Sequence, residues 1–420
     1  MSGLLDQAGL TAGSGLSNGA GLYKWGNFNP FDPTDLDPYL LFDTAAGSMI
    51  GTLENPTLDL DPSNQETLDV ITATRAGIAT YTDSSGLIKA APANTVRVDY
   101  VDSVPMILVE PSATNLLPDS NTFLKGSPVV RLGRTFEAPD GTNTAEGYGS
   151  IPATSGVEVS SQTASISPNT QYVSSVWVKG EAGKTASFFA KRNGGTFVQS
   201  NVVNVTLTGE WQRVTGMVMT TLSDNTGIIV KLSSSTLATQ ADEVYLWGAQ
   251  VETGSLSTSV IPTSGSTVTR AADNLVISGS AFTDFFSTTE GTFYAEFVRA
   301  VGSDGVQQRY VLGSQSNSAR FCYIQSSTNT VGSYDGENFM GAGDYVAAQL
   351  SRYAISYLNS SAIDATSASL NGASEVTNYH NGNLLSVPTQ LNIGRSASNS
   401  YYLNGHIKRV IYWPYHSDSL

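Results

Sequence analysis

Two short runs place aromatic rings beside carboxylates and amides: Tyr334-Asp335-Gly336-Glu337-Asn338-Phe339 and Asn399-Ser400-Tyr401-Tyr402. That mixture suits sugar recognition, because rings cover the apolar C–H faces of a sugar while amides and carboxylates hold its hydroxyls. Tyr334, Asp335, Glu337, Asn338, Tyr401 and Tyr402 are therefore the candidate carbohydrate-binding residues. Both runs read as loop tips.

Other chemistries find less support. Glycoside cleavage needs two carboxyl groups about 5–9.5 Å apart across the scissile bond. Glu290, Glu296, Glu337 and Glu375 show no paired spacing, and Glu296, between Ala295 and Phe297, reads as a surface or strand-edge residue. A serine nucleophile would need a glycine-flanked turn and a histidine base, and GSMIG and GSPVV do not supply the turn. The histidines are His380, His406 and His416, too few and too scattered for a metal site. His406 reads as a turn residue beside the last strand. Cys322, in RFCYIQ, reads as a small buried hydrophobe. The aspartates of DPTDLDP are interrupted by prolines and lack the spacing of a calcium loop. The expectation is a chain with no catalytic residue, no metal and no cofactor.

Charge narrows the partners. With 21 basic and 36 acidic residues the net charge is −15. No basic stripe is present to neutralise phosphates, so no nucleic-acid partner is expected. An acidic surface is repelled by anionic lipid. No apolar run approaches the roughly 20 residues that span a bilayer, so no membrane insertion is expected. The first basic residue is Lys24, and no apolar export leader follows a charged start.

The elements that must position these residues are strands. Only 14% of the 420 residues are charged, and 40 glycines and 16 prolines supply turns. Residues 116–265 show no helical window, and residues 1–30 neither a helical nor a strand period. Residues 1–30, rich in Gly and Leu, cannot make their own core. They read as an arm that orders against a partner, with Leu4, Leu5, Leu10, Leu16, Leu22, Tyr23 and Trp25 as its anchoring residues. Residues 1–74 together form this arm and an irregular region, and residues 75–115 a small β connector. In VRVDYV, Val96, Val98 and Tyr100 share one face, and Arg97 and Asp99 the other.

Residues 116–265 read as one sandwich, with strands such as QYVSSVWVKG, EWQRVTGMVMT and DEVYLWGAQVE. Trp211, Arg213, Thr215, Met217 and Met219 alternate with Gln212, Val214, Gly216 and Val218. Trp177, Trp211 and Trp247 are expected in the core. Residues 266–420 read as a second sandwich. There GTFYAEF puts Phe293, Ala295 and Phe297 on one face and Thr292, Tyr294 and Glu296 on the other. The Ser/Thr track TGSLSTSVIPTSGSTVTRAAD joins the two, and Trp247 and Glu252 before it read as structural residues. The fold class is all-β: two tandem antiparallel β-sandwiches behind an irregular N-terminal anchor.

Two stretches carry a resemblance, RAGIATYTDSSGLIKAAPANTVRVDY through MILVEPSATNLLPDSNTF, and DEVYLWGAQVETGSLSTSVIPTSGSTVTRAA. They resemble modular virion proteins of tailed bacteriophages. YVSSVWVKG, EWQRVTGMVMT and VYLWGAQVETGS are similar to carbohydrate-binding modules of the jelly-roll kind. Leu403-Asn404-Gly405-His406-Ile407-Lys408-Arg409-Val410-Ile411-Tyr412 resembles the closing strand of laminin-G or concanavalin-like domains. The glycosidases of that fold carry E-x-D-x-E on one strand, which this chain lacks. The resemblance implies a non-enzymatic virion fibre or appendage protein on the particle surface, assembled in the host cytoplasm. It would attach through its N-terminus to a capsid, portal or tail component, contact host surface glycans, and form a homotrimer. A capsid decoration or collar protein with inert sandwiches is the alternative, and a polysaccharide depolymerase a third.

Overall fold

The computed structural model describes residues 42–43, 48–49, 56–149, 151, 158–233, 241, 243–299, 308–316, 320–325, 327–334, 339–359, 364–380, 387–417 and 420. Among these, Gln65–Leu68 and Ser280–Thr283 are single helical turns and the other regular elements are strands. The all-β reading holds. No described helix is long and apolar enough to cross a membrane. The proposed anchoring residues Leu4, Leu5, Leu10, Leu16, Leu22, Tyr23 and Trp25 lie outside the described residues.

Alternation sets the two faces of each strand. In Glu290–Arg299, Phe293, Ala295 and Phe297 enter the main core as GTFYAEF predicts. The opposite face is covered as well, since Tyr294 packs with Ile411 and Trp413. Glu296 is buried there, 2.7 Å from Lys408 and 3.5 Å from Arg352, and accepts from the Tyr294 hydroxyl at 2.6 Å. It is not the surface or strand-edge residue the sequence suggested. Its strand is central, flanked by Ser351–Asn359 and Gly405–Trp413, and a buried carboxylate needs such cations.

One sandwich is drawn from the middle of the chain. Its first sheet runs Phe123–Lys125, Glu158–Ser161, Gly227–Ser233, Thr185–Asn193, Val203–Thr206, with Ala164–Ser165 also on Gly227–Ser233. The second runs Val130–Phe136, Ala145–Gly149, Val244–Thr253, Gln171–Gly180, Gln212–Thr220. Val176, Phe188, Met217, Val230 and Val251 pack between them.

The strand Gln212–Thr220 departs from simple alternation. Val214, Met217 and Met219 face the core together. Gly216, at φ +80°, makes a bulge where the register against Ser174 and Val176 shifts. The extra residue moves Trp211, Arg213 and Thr215 to the face opposite Met217 and Met219, which the sequence had grouped with them. Trp247 is buried in a small satellite cluster, while Trp177 and Trp211 are only partly buried beside it.

The other sandwich is built from the chain on both sides of the first. Its seven-stranded sheet runs Phe339–Asp344, Thr330–Tyr334, Arg320–Gln325, Arg309–Gly313, Gln390–Ile393, Asn274–Ser278, Thr72–Thr74. Its eight-stranded sheet runs Val376–His380, Asp364–Leu370, Ser351–Asn359, Glu290–Arg299, Gly405–Trp413, Val104–Val109, Val98–Val101, with Leu58–Leu60 also on Gly405–Trp413. Residues 75–115 are thus not a separate connector. Val104–Val109 pairs with Gly405–Trp413, and Val96 and Val98 pack on the main core. The middle sandwich is inserted into the outer one, and the crossing point is the short ladder of Ala113–Asn115 with Val268–Arg270. His406 lies inside its strand rather than in a turn, with Nε2 2.8 Å from Asp99 Oδ2.

A buried charge network locks this crossing. Arg97 bonds both Asp273 and Glu110, and its Nη1 donates to Thr80 O at 2.8 Å. Arg75 reaches Asp273 at 2.9 Å, and Arg270 reaches Glu110 at 3.4 Å. Burial alone would raise the Glu110 carboxyl. Arg270, Arg97 and a hydrogen bond from Ser259 outweigh that and hold it far below the usual carboxylate range. The Ser/Thr connector is pinned to this network by Ser259 N, which donates to Glu110 at 2.5 Å, and to Glu252, just before it in sequence, by Thr258 N at 3.0 Å.

Cys322 is buried in the main core, where desolvation pushes its thiol well above the ordinary value. Only the thiolate reacts readily. A maleimide should therefore label it in the unfolded chain and leave it unlabelled in the native one, read by intact mass.

Candidate functional site

The seven-stranded sheet carries a cluster of rings on the face opposite its core. In Arg309–Gly313 and Arg320–Gln325, Val311, Leu312, Phe321 and Ile324 belong to the main core. Tyr310 and Tyr323 do not, and they meet each other at a centroid distance of 5.6 Å. Tyr401 stacks on Tyr310 at 6.1 Å, nearly parallel. Burial pushes both the Tyr310 and Tyr323 hydroxyls up to about 12, so they stay protonated donors.

Arg320 is wedged among the rings. Its guanidinium carbon lies 4.7 Å from the Tyr334 centroid, 5.0 Å from Tyr323 and 5.4 Å from Tyr310. The negative ring faces attract the cation, and Gln308 Oε1 accepts from Nη1 at 3.1 Å. The pairing of Arg320 with Tyr334 across strands, and of Tyr334 with Phe339, fixes this order.

Phe339 completes the surface. A side chain at Gly332 or Gly341 would run into its ring, at 2.6 Å and 3.2 Å respectively. The ring therefore lies over two bare glycines, with 38% of the residue exposed and its edge toward Tyr323 at 5.5 Å. An aromatic laid on a sheet with its outer face open is a platform for an apolar ring face. Gly332→Ala should unseat it: the new Cβ would meet Met340 O at 2.2 Å as well as the ring. The expected cost is about 1–3 kcal/mol of stability, read by urea denaturation, with Phe339 more exposed to solvent.

The predicted residues divide. Tyr334 and Tyr401 lie half-buried on this face. Tyr401 sits on a braced loop, where Ser396 Oγ accepts from Tyr401 N at 3.2 Å and Arg395 bonds Asn399. Tyr402 points the other way: it is buried in the main core and donates to Asn274 Oδ1 at 2.9 Å. Adjacent residues of an extended run face opposite sides, so Tyr402 is structural. Asp335, Glu337 and Asn338 lie outside the described residues. Sequence reasoning quoted Phe339 within its first run without selecting it, and gave no role to Arg320, Tyr310 or Tyr323. The signal was there in the mid-strand glycines of VGSY and MGAGD, which mark a close approach.

No protein-family description matches the chain, and no curated protein matches it. Solved structures give distant likenesses. One, titled "CBM4 structure and function", has 12% identity and a TM-score of 0.25, covering 33% of this chain and 94% of that one. Another is the Clostridium thermocellum N-terminal endo-1,4-beta-D-xylanase 10B, CBM22-1-GH10 modules complexed with xylohexaose. It has 14% identity and a TM-score of 0.25, over 33% of this chain. The chain spans only 27% of that second structure. At these scores the likeness decides neither fold nor ligand.

Proposed function

We propose that this chain is a non-enzymatic bacteriophage virion protein, a fibre or appendage that binds host surface glycan on the outer face of its seven-stranded sheet. The observation that supports the glycan reading is the Phe339 ring, laid over Gly332 and Gly341 with its outer face open. A saccharide ring stacks on Phe339, the Arg320 guanidinium and the Tyr334 hydroxyl flank it as hydrogen-bond donors, and Tyr401, stacked on Tyr310, extends the surface for further residues of the glycan. The virion role rests on the sequence resemblance. In it, residues 1–30 dock on a capsid, portal or tail component, and three copies form the appendage.

A glycan array probed with the full chain tests the reading. Reproducible binding to a defined set of surface glycans is expected. A flat array, with the protein still incorporated into particles, would leave a decoration or collar protein with inert sandwiches. Release of reducing ends from capsule would instead establish a depolymerase. Deleting residues 1–30 is expected to abolish incorporation and leave both sandwiches folded.

A further inference from the structure

A cleft of about 230 Å³ opens where the two sandwiches and the Ser/Thr connector meet. Its walls include Tyr81, Asp99, Trp177, Arg213, Ser257 and His406. They come from five separate parts of the chain, and the insertion of one sandwich into the other brings them together. Arg213 reaches the cleft because the bulge at Gly216 turns it away from the core.

Arg213 is under-used. Its Nη2 donates to Ser175 Oγ at 3.1 Å, its sole hydrogen bond among the described residues, and its buried Nε has no partner. A guanidinium carries five donors in a planar fork. The carboxylates nearby are committed elsewhere. Glu252 holds Thr258 and Gln250, Glu110 holds Arg97 and Ser259, and Asp99 holds His406 and the Thr82 amide. Burial holds Arg213 below its ordinary value although Glu252, Glu110 and Asp99 pull the other way. Among the described residues this cation has no contacting anion, and a carboxylate fits its fork with two parallel hydrogen bonds.

The rest of the cleft suits a polyol. Trp177 lines it, and so do Ser255, Ser257, Thr258 and Ser259 of the connector. The volume is below the roughly 300–1,000 Å³ of pockets for drug-sized ligands, so one residue fits. We propose that this cleft binds a single carboxylate-bearing sugar residue, such as a uronic acid, with its carboxylate on Arg213 and its ring against Trp177.

Calorimetric titration of the full chain tests this with three probes: glucuronate, glucose and acetate. Glucuronate is expected to bind saturably, and the other two at least about tenfold more weakly, since each offers half of the recognition. Arg213→Gln is expected to weaken glucuronate roughly 10–100-fold, the effect of losing a charged hydrogen-bond donor. Thr215 is exposed at the rim, so Thr215→Trp should occlude the cleft without touching the core, and it decides the matter if Arg213→Gln does not fold. Absence of glucuronate binding by the parent overturns the proposal. So does glucose binding equally well, or a folded Arg213→Gln binding like the parent. The sheet-face reading is scored by Phe339→Ala and this one by Arg213→Gln, so either can fail alone.

Discussion

Asp273→Leu is expected to cost about 3–5 kcal/mol of unfolding free energy, the range for stripping one partner from a buried ion cluster. Asp273 accepts from Arg97 and from Arg75 and also takes the backbone N–H of Glu110 at 3.0 Å. Without it, three buried arginines face Glu110 alone. Two of them would hold uncompensated charge in a buried site. Because the network sits at the crossing between the sandwiches, the loss should lower the unfolding midpoint of the whole chain. Urea denaturation followed by intrinsic fluorescence checks it, and an unchanged midpoint would remove the network from the account. The same network predicts the response to acid. Glu110 titrates lower in the folded chain than in the unfolded one. Its contribution is therefore complete above the unfolded carboxylate range, near pH 4.3, and is lost as pH falls through the depressed folded value.

Phe339→Ala is expected to weaken saccharide binding roughly 30-fold, the ~2 kcal/mol of an aromatic anchor at the centre of an interface. The fold should survive, because the ring rests on the outer face of the sheet and lies outside the main core. Arg320→Leu should show a smaller loss, since it removes a flanking donor and keeps the platform. Equal loss from both variants with a lowered unfolding midpoint would mean that the ring cluster is packing rather than a binding surface. Competition of soluble glycan against array-bound protein measures the ratio.

Much of this was legible in the residues. The alternation of GTFYAEF and VRVDYV gave the right core faces for Phe293, Phe297, Val96 and Val98. The two segments that carry the family resemblance turn out to touch. Arg75, Arg97 and Glu110 of one meet Arg270 of the other, and Asp273 just beyond it, in a single network. What the sequence hid was pairing over distance. Leu58–Leu60 is three residues long, and its partner strand holds Arg409, which also grips Asp59 at 2.7 Å from 350 positions away. Nothing local marks such a partner, so a piece of the outer sandwich read as part of the irregular N-terminal region. The bulge at Gly216 was hidden for a related reason. A glycine in a strand permits a bulge without requiring one, and one extra residue reverses every later side chain. That reversal separates Arg213 from the methionines. Of the proposed binding face, the loop-tip pattern picks out Tyr334 and Tyr401, which lie on that side of the sheet, whereas Tyr402 of the same run alternates into the main core.

The central claim is that saccharide sits on Phe339. Phenylalanine-selective isotope labelling, with a glycan taken from the array, allows transfer from sugar C–H protons to ring protons to be observed directly by nuclear magnetic resonance. The account predicts transfer to the Phe339 ring, abolished in Phe339→Ala, with buried rings such as Phe293 and Phe297 silent. Binding with no transfer to Phe339, or transfer that survives its removal, would contradict it.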